Sequence, residues 1–296
     1  MIFSIFTKAP QGSGPADATQ MKKNTRMLTL LIIALLISVF TIYILVQSAY
    51  LKKCGNDSQN FEGKVSIGEF SLYVCKQSKG KPSIIFESGH YESHEAWELI
   101  QPEISNISST FSYDRAGLGL SDKSPDKRTS LNKVLELHTL LKKAKVKGPY
   151  IIVTHSMGSW VSRMFAKQFG DELAGLIFID PTHEDTNEYT VNSMPPEFLD
   201  LYKEEISKEG TYEDLLESIE QIKQSRYALK NIPLTVISAT DHQMGSEFEE
   251  KWILWQKDIA SLSSKSNHII VNSGHNIHKE KPDVIIKAIN DMITKS

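Results

Sequence analysis

The sequence predicts an α/β fold, with a mostly parallel central sheet and helices on both faces. Three observations carry this expectation. Short β-rich apolar runs alternate with segments whose apolar residues recur at helical spacing. Beyond the first 50 or so of the 296 residues, the remaining body has the size of one such domain with its own core. Finally, Ser156 stands between the strand-like run Tyr150-Ile151-Ile152-Val153 and a helical pattern, which is a tight strand-to-helix turn.

From the N-terminus, residues 1–26 read as a tail, within which Met21, followed by Lys22, Lys23 and Arg26, would make a natural start. Met27 to Val46 is twenty residues without a charge, mostly Leu, Ile and Val, enough to cross a bilayer core as one transmembrane helix. A cleaved signal peptide is the rival reading. Its apolar region is usually shorter, however, and Gln47-Ser48-Ala49 is a weak cleavage site. Cys54 follows Leu51-Lys52-Lys53, which is not a lipoprotein box. Lys22, Lys23 and Arg26 before the span outweigh Lys52 and Lys53 after it, so the bias places the N-terminus inside and the body outside the cytoplasm. An oxidising compartment would permit Cys54 and Cys75 to pair, with two separate thiols as the alternative. Residues 47–60 form a linker, and residues 61–296 the folded domain.

Ser83-Ile84-Ile85-Phe86 is a strand-like run, and Glu87-Ser88-Gly89-His90-Tyr91 is the loop after it. The stripe Leu131, Val134, Leu135, His138, Leu141 marks a helix with His138 packed on it. After Tyr150 to Val153 comes Thr154-His155-Ser156-Met157-Gly158, which keeps the second glycine of Gly-x-Ser-x-Gly and has Thr154 in place of the first. A turn of that kind holds a serine hydroxyl clear of the sheet, where a base can activate it as a nucleophile. Thr154 is bulkier than glycine and crowds the helix against the strand. Leu176 to Ile179 is a further strand, ending in Asp180-Pro181, and Pro233 to Ser238 another, followed by Asp241. Phe248, Trp252, Trp255, Ile259 and Leu262 recur at helical spacing as a core-facing stripe. His268 to Val271 leads into Ser273-Gly274-His275, and Pro282 opens the last helix, where its missing N–H does no harm.

A Ser, acid, His order along the chain, each at a strand end, fits this pattern. His275 is the base expected to take the proton of Ser156. Among the other histidines, His155 should diverge from Ser156 on the turn, His242 and His268 are poorly placed, and His278 is a supporting or exposed residue. Two carboxylates compete for the acid: Asp241 and, one strand earlier, Asp180. The backbone N–H groups of Met157 and His90 are the candidate oxyanion donors, because Gly89 lets the loop approach a substrate closely.

With the serine turn and Gly274-His275, the segment Tyr113-Asp114-Arg115-Ala116-Gly117-Leu118-Gly119-Leu120-Ser121 makes the chain resemble the α/β-hydrolases of the single-domain esterase and lipase-like group, from about Phe61 onward. The resemblance implies an α/β-hydrolase fold and a serine hydrolase acting on a small-molecule ester or acyl substrate, with Asp241 ranked first as the acid. It implies structural roles for Asp114, Arg115 and the glycines, a helical cap insertion over about residues 182–232, and no organic cofactor or metal. Ser156 excludes the aspartate-nucleophile dehalogenases, and the turn does not match the Gly-Gly-Ser-Trp-Gly of proline iminopeptidases. Residues 182–232 hold twelve Asp or Glu and five Lys or Arg, so their formal charge is 5 − 12 = −7; solvated helix faces account for this, and acidity at the pocket mouth would disfavour anionic substrates. An acyltransferase, an amidase or an inactive binding protein of the same fold are the alternatives. A net charge of −3 and the lack of any basic patch exclude a nucleic-acid partner.

Overall fold

The computed structural model describes residues 60–295; the expected transmembrane helix at 27–46, the linker up to residue 59 and Cys54 lie outside the described residues. Among the described residues, no helix is long and apolar enough to cross a membrane.

Eight strands form one sheet: β1 (Phe61–Ser66), β2 (Ser71–Gln77), β3 (Ser83–Glu87), β4 (Ser109–Tyr113), β5 (Tyr150–His155), β6 (Leu173–Ile179), β7 (Leu234–Ala239) and β8 (Ser266–Val271), in the order β1-β2-β4-β3-β5-β6-β7-β8. The pairs β1/β2 and β2/β4 are antiparallel, and all others are parallel. Every residue of β3, β5 and β7 is buried, which is why these strands read as continuous apolar runs in the sequence.

Successive side chains of a strand point to opposite faces, so the core has two halves. Ile85, Ile152, Phe178 and Val236 face one layer, made by helices α1 (Ser130–Lys143) and α2 (Gly158–Phe169) with residues from further along the chain. Ile84, Phe86, Ile151, Val153 and Ile177 face the other, where Trp97, Ile100 and Ile104 pack. Thr129 caps α1 by accepting from the Asn132 N–H, and Lys142 and Lys143 occupy its last turn, both favourable to a helix. Its buried face is Val134, Leu137, Leu140 and Leu141; Leu135, expected on the stripe, is exposed. His138 packs as expected, its ring stacked on Phe169 at 3.6 Å between centroids.

Between β6 and β7 the chain inserts helices α3 (Thr186–Ser193), α4 (Leu199–Ile206) and α5 (Tyr212–Lys223), with short 3₁₀ turns between them. Thr211 and Asp214 form a reciprocal capping box at the start of α5. Helix α6 (Ser246–Ser261) joins β7 to β8, and α7 (Pro282–Lys295) closes the chain against the second core half through Ile285, Ala288, Ile289 and Met292. Because β3 lies between β4 and β5, the connections leave β3 and β5 in opposite directions. A crevice opens at the carboxyl ends of these two strands, where this class of sheet binds ligands.

Candidate active site

Ser156 follows β5 with φ at 51°, a left-handed conformation uncommon outside glycine that marks functional turns. The turn is held from behind: the Ser156 N–H donates to the Ile179 carbonyl at 3.0 Å, and the Thr182 N–H donates to the Ser156 carbonyl at 3.3 Å. Its hydroxyl lies 2.9 Å from His275 Nε2 and 3.2 Å from the Thr182 hydroxyl. The residue is only 8% exposed, so a substrate must reach it within the crevice.

The crowding expected at Thr154 is relieved by Gly158. A Cβ at position 158 would stand 2.7 Å from Thr154 Oγ1 and 2.4 Å from the Ser88 carbonyl oxygen. Thr154 therefore occupies space that a side chain at 158 would need. Gly158→Ala is expected to destabilise the domain by about 1–3 kcal/mol, the usual cost of overpacking a closed site, and thermal unfolding would measure it. An unchanged melting temperature would show that the turn can shift.

His275 Nδ1 lies 2.6 Å from Asp180 Oδ2. Of the two carboxylates expected from sequence, the structure brings Asp180 and not the first-ranked Asp241 to His275: Asp241 is exposed, and its carboxylate accepts from the backbone N–H of Gln243 at 3.2 Å. The reason is backbone direction. Asp180 turns back at φ 44° over the end of β7, donating its N–H to the Ile237 carbonyl at 2.7 Å. Its Oδ1 accepts from the Ala239 N–H at 2.9 Å and from Trp252 Nε1–H at 2.8 Å. Burial pushes the Asp180 carboxyl up, but the hydrogen bonds from His242 and His275 and their charges outweigh it and hold it well below the usual carboxylate range.

His242, set aside from sequence as poorly placed, is a second imidazole on that acid: its Nε2 lies 2.7 Å from the same Asp180 Oδ2. Glu249 Oε2 lies 2.7 Å from His242 Nδ1. Thr182, His242, Glu249 and Trp252 were all missed by sequence reasoning as parts of the site. The one available signal was Trp252, a residue with a polar edge in the apolar stripe of α6.

His155 diverges from Ser156 as expected. Its Nε2–H donates to the His275 carbonyl at 3.1 Å, and its Nδ1 lies 2.8 Å from Glu92 Oε2. Burial lowers its pKa, against the hydrogen bond to Glu92, which raises it. His278 is fully buried, beside the rings of Trp97 and His155. Two groups of three metal-capable side chains occur among the described residues: Glu92, His155 and His278, and Asp180, His242 and His275. Hydrogen bonds account for the second group, and Lys279 Nζ at 3.2 Å from Glu92 Oε1 supplies a counter-charge to the first.

On the other wall of the crevice, Gly89 admits a tight loop after β3, since a Cβ there would meet Glu92 Oε2 at 2.6 Å and His155 Nδ1 at 2.7 Å. Arg115 holds this loop. Its Nη1 donates to Glu87 Oε1 at 2.6 Å and to the Ser88 carbonyl at 2.7 Å; its Nη2 donates to the Gly89 carbonyl at 2.5 Å and to Glu209 Oε2 at 2.9 Å; its Nε donates to Glu209 Oε1 at 2.6 Å. All the N–H donors of the guanidinium are thereby used. A trans peptide points its C=O and N–H in opposite directions, so fixing the Gly89 carbonyl on Arg115 turns the His90 N–H away from it. The His90 ring is tied to the inserted helices, with Nε2–H donating to the Glu205 carbonyl at 3.2 Å. Burial pushes the Glu209 carboxyl up, but Arg115 and then Lys133, at 3.0 Å, outweigh it and hold it well below its ordinary range. His90 and Met157 line one small cavity of about 30 Å³ together with Arg115, Lys133 and Glu209. Asp114 braces the neighbouring turn by accepting from the N–H groups of His94 at 2.7 Å and Leu120 at 2.9 Å, the structural role expected of it.

Residues 82–207 match the family model described as the alpha/beta hydrolase fold. The chain is 34% identical over 211 residues to the protein named uncharacterized protein YqjL of Bacillus subtilis, a match spanning 71% of this chain and 83% of that one. Its fold is similar to that of an enol-lactonase from Burkholderia xenovorans, with a TM-score of 0.60 at 15% identity over 78% of this chain and 99% of that one. It is similar also to that of a thermophilic esterase from Thermogutta terrifontis, with a TM-score of 0.57 at 17% identity over 79% of this chain and 98% of that one. Taken with the strand order and the left-handed serine turn after β5, these matches show that the chain belongs to the alpha/beta hydrolase fold family.

Proposed function

We propose that this protein is a membrane-anchored serine hydrolase that cleaves a carboxylic ester through an acyl-enzyme, with Ser156 as nucleophile, His275 as base and Asp180 as the acid. The observation that carries the reading is the continuous line of contacts from Ser156 Oγ to His275 Nε2 at 2.9 Å and from His275 Nδ1 to Asp180 Oδ2 at 2.6 Å. Ser156 Oγ attacks the acyl carbon while its proton passes to His275 Nε2. The tetrahedral oxyanion is received by the backbone N–H groups of Met157 and His90, each such donor being worth roughly 10²–10³ in rate. Collapse expels the alcohol, which takes the proton from His275, and a water molecule repeats the sequence to release the acid. Asp180 fixes the imidazole with its proton on Nδ1 and stabilises the imidazolium. The twenty uncharged residues from Met27 to Val46 supply the anchor.

One experiment tests both parts. Membranes carrying the protein are washed with carbonate, and pellet and supernatant are treated with a fluorophosphonate probe and assayed on short- and long-chain esters. Labelling and ester turnover in the washed pellet are expected, since about twenty apolar residues resist extraction better than a peripheral contact does. No labelling in either fraction would sink the hydrolase, whereas labelling confined to the supernatant would sink the anchor alone.

A further inference from the structure

We propose that His242, charged and held by Glu249, is a positioning residue that shares the Asp180 carboxylate with His275 and sets the lower pH limit of Ser156 reactivity. This rests on the reading of Ser156, His275 and Asp180 as the reacting set. The geometry is specific. Asp180 Oδ2 receives both imidazoles, His242 Nε2 at 2.7 Å and His275 Nδ1 at 2.6 Å. On its far side His242 is gripped twice by Glu249, whose Oε2 lies 2.7 Å from Nδ1 and whose Oε1 accepts the His242 backbone N–H at 2.7 Å.

A carboxylate oxygen can only accept, so each ring nitrogen of His242 must donate, and a ring that donates at both nitrogens is an imidazolium. Burial opposes that charge, but the hydrogen bond and charge of Asp180, followed by those of Glu249, outweigh it and raise the His242 pKa. The charge is present below that raised value and is lost as pH rises through it. The other groups facing His242 are the uncharged rings of Phe248 and Trp252 from α6 and the His275 ring. Asp241, its chain neighbour, is turned to the Gln243 N–H.

Asp180, Glu249 and protonated His242 sum to one negative charge; without the His242 charge they would sum to two. The His242 and His275 rings are 5.9 Å apart between centroids. A positive charge at that distance disfavours a second positive charge beside it, while His275 keeps its hydrogen bond to Asp180. Ser156 reactivity therefore extends to lower pH than Asp180 alone would permit. The shared oxygen also fixes where the His275 ring stands, because neither imidazole can swing without displacing the other from Oδ2.

The test is the pH dependence of fluorophosphonate inactivation, measured on the full chain and on His242→Gln, whose neutral amide keeps a donor toward Asp180. The acid limb is expected to move up by about 0.5–2 pH units, the range that a unit charge at this separation gives between a water-like and a protein-like effective dielectric. A uniform loss of rate with an unmoved limb would reduce His242 to packing and overturn the proposal. In the unmutated chain, ¹⁵N resonances of the His242 ring at pH 7 should show both nitrogens protonated; a neutral tautomer overturns the proposal even if the variant does not fold. Failure of the unmutated chain to react at any pH would strike at the serine hydrolase reading itself, whereas reaction with an unmoved limb strikes only at His242.

Discussion

Ser156→Ala is expected to lower ester turnover by about 10⁶ and to abolish fluorophosphonate labelling, the scale of loss seen when a serine nucleophile is removed from a cooperating set. The variant should fold. It deletes one oxygen, whose partners are His275 Nε2 and the Thr182 hydroxyl; both lie at the crevice, where water can replace the lost contact. The left-handed backbone at 156 suits alanine about as well as serine, and the main-chain bonds to Ile179 and Thr182 do not involve the side chain. Turnover, probe labelling and thermal unfolding measured together separate lost chemistry from lost structure. Turnover within tenfold of the unmutated protein would move the nucleophile elsewhere.

The second large effect separates the two carboxylates. Asp180→Asn is expected to lower kcat by about 10⁴, because an amide at the orienting position can donate to Nδ1 and so favours the wrong imidazole tautomer. Asp241→Asn should change kcat less than about threefold, as expected of an exposed side chain with one local contact. Asp180 is also a buried anion accepting from the Ala239 N–H and the Trp252 indole, so its replacement will cost stability as well. For that reason kcat must be measured well below the melting temperature of the variant. A larger loss at 241 than at 180 would restore Asp241 as the acid and mean that the loop after β7 rearranges around substrate.

How legible this site was depends on how local each determinant is. The five apolar runs read as strands are strands; in β3, β5, β6 and β7 burial on both faces leaves a signature within a few consecutive residues, whereas β8, a half-exposed edge strand, was legible from its short β-branched run. The turn at Ser156 was legible for a similar reason: a strand, a tight turn and Gly158 lie within a short stretch. The carboxylate that meets His275 was not. Asp180 and Asp241 both follow strands, and the choice between them depends on the path of the chain after it leaves the sheet. That path is set by the left-handed turn at 180, by its main-chain bond to Ile237 and by the bond its carboxylate accepts from the Ala239 N–H, dozens of residues downstream. His242 and Glu249 were illegible because their role exists only once β6, β7 and β8 are side by side. The α1 stripe failed more simply. Its apolar residues wrap far enough around the helix that Leu135 and Leu137 compete for the inner face, and the neighbouring helix decides in favour of Leu137.

Arg115 bears on how a family of such proteins can diversify. A segment inserted between two strands at the rim of a crevice looks like an interchangeable part, one that could be exchanged to accept a different substrate while the sheet and its serine stay untouched. Glu209 denies it that independence. The carboxylate comes from the insertion, yet it completes the hydrogen bonding of an arginine whose remaining donors grip the Glu87 carboxylate and the Ser88 and Gly89 carbonyls, and its Oε2 also accepts the Tyr91 N–H at 3.1 Å. A transplanted segment lacking an acid at that point would leave two donors of a buried guanidinium, and the Lys133 ammonium, without their acceptor, a fault that costs about 1–3 kcal/mol for each buried group left unsatisfied. The loop beside Ser156 would lose its orientation along with it. Grafts that retain Glu209 should therefore preserve the chemistry, while grafts that do not should fail at the loop after β3, a part of the chain that they never touched.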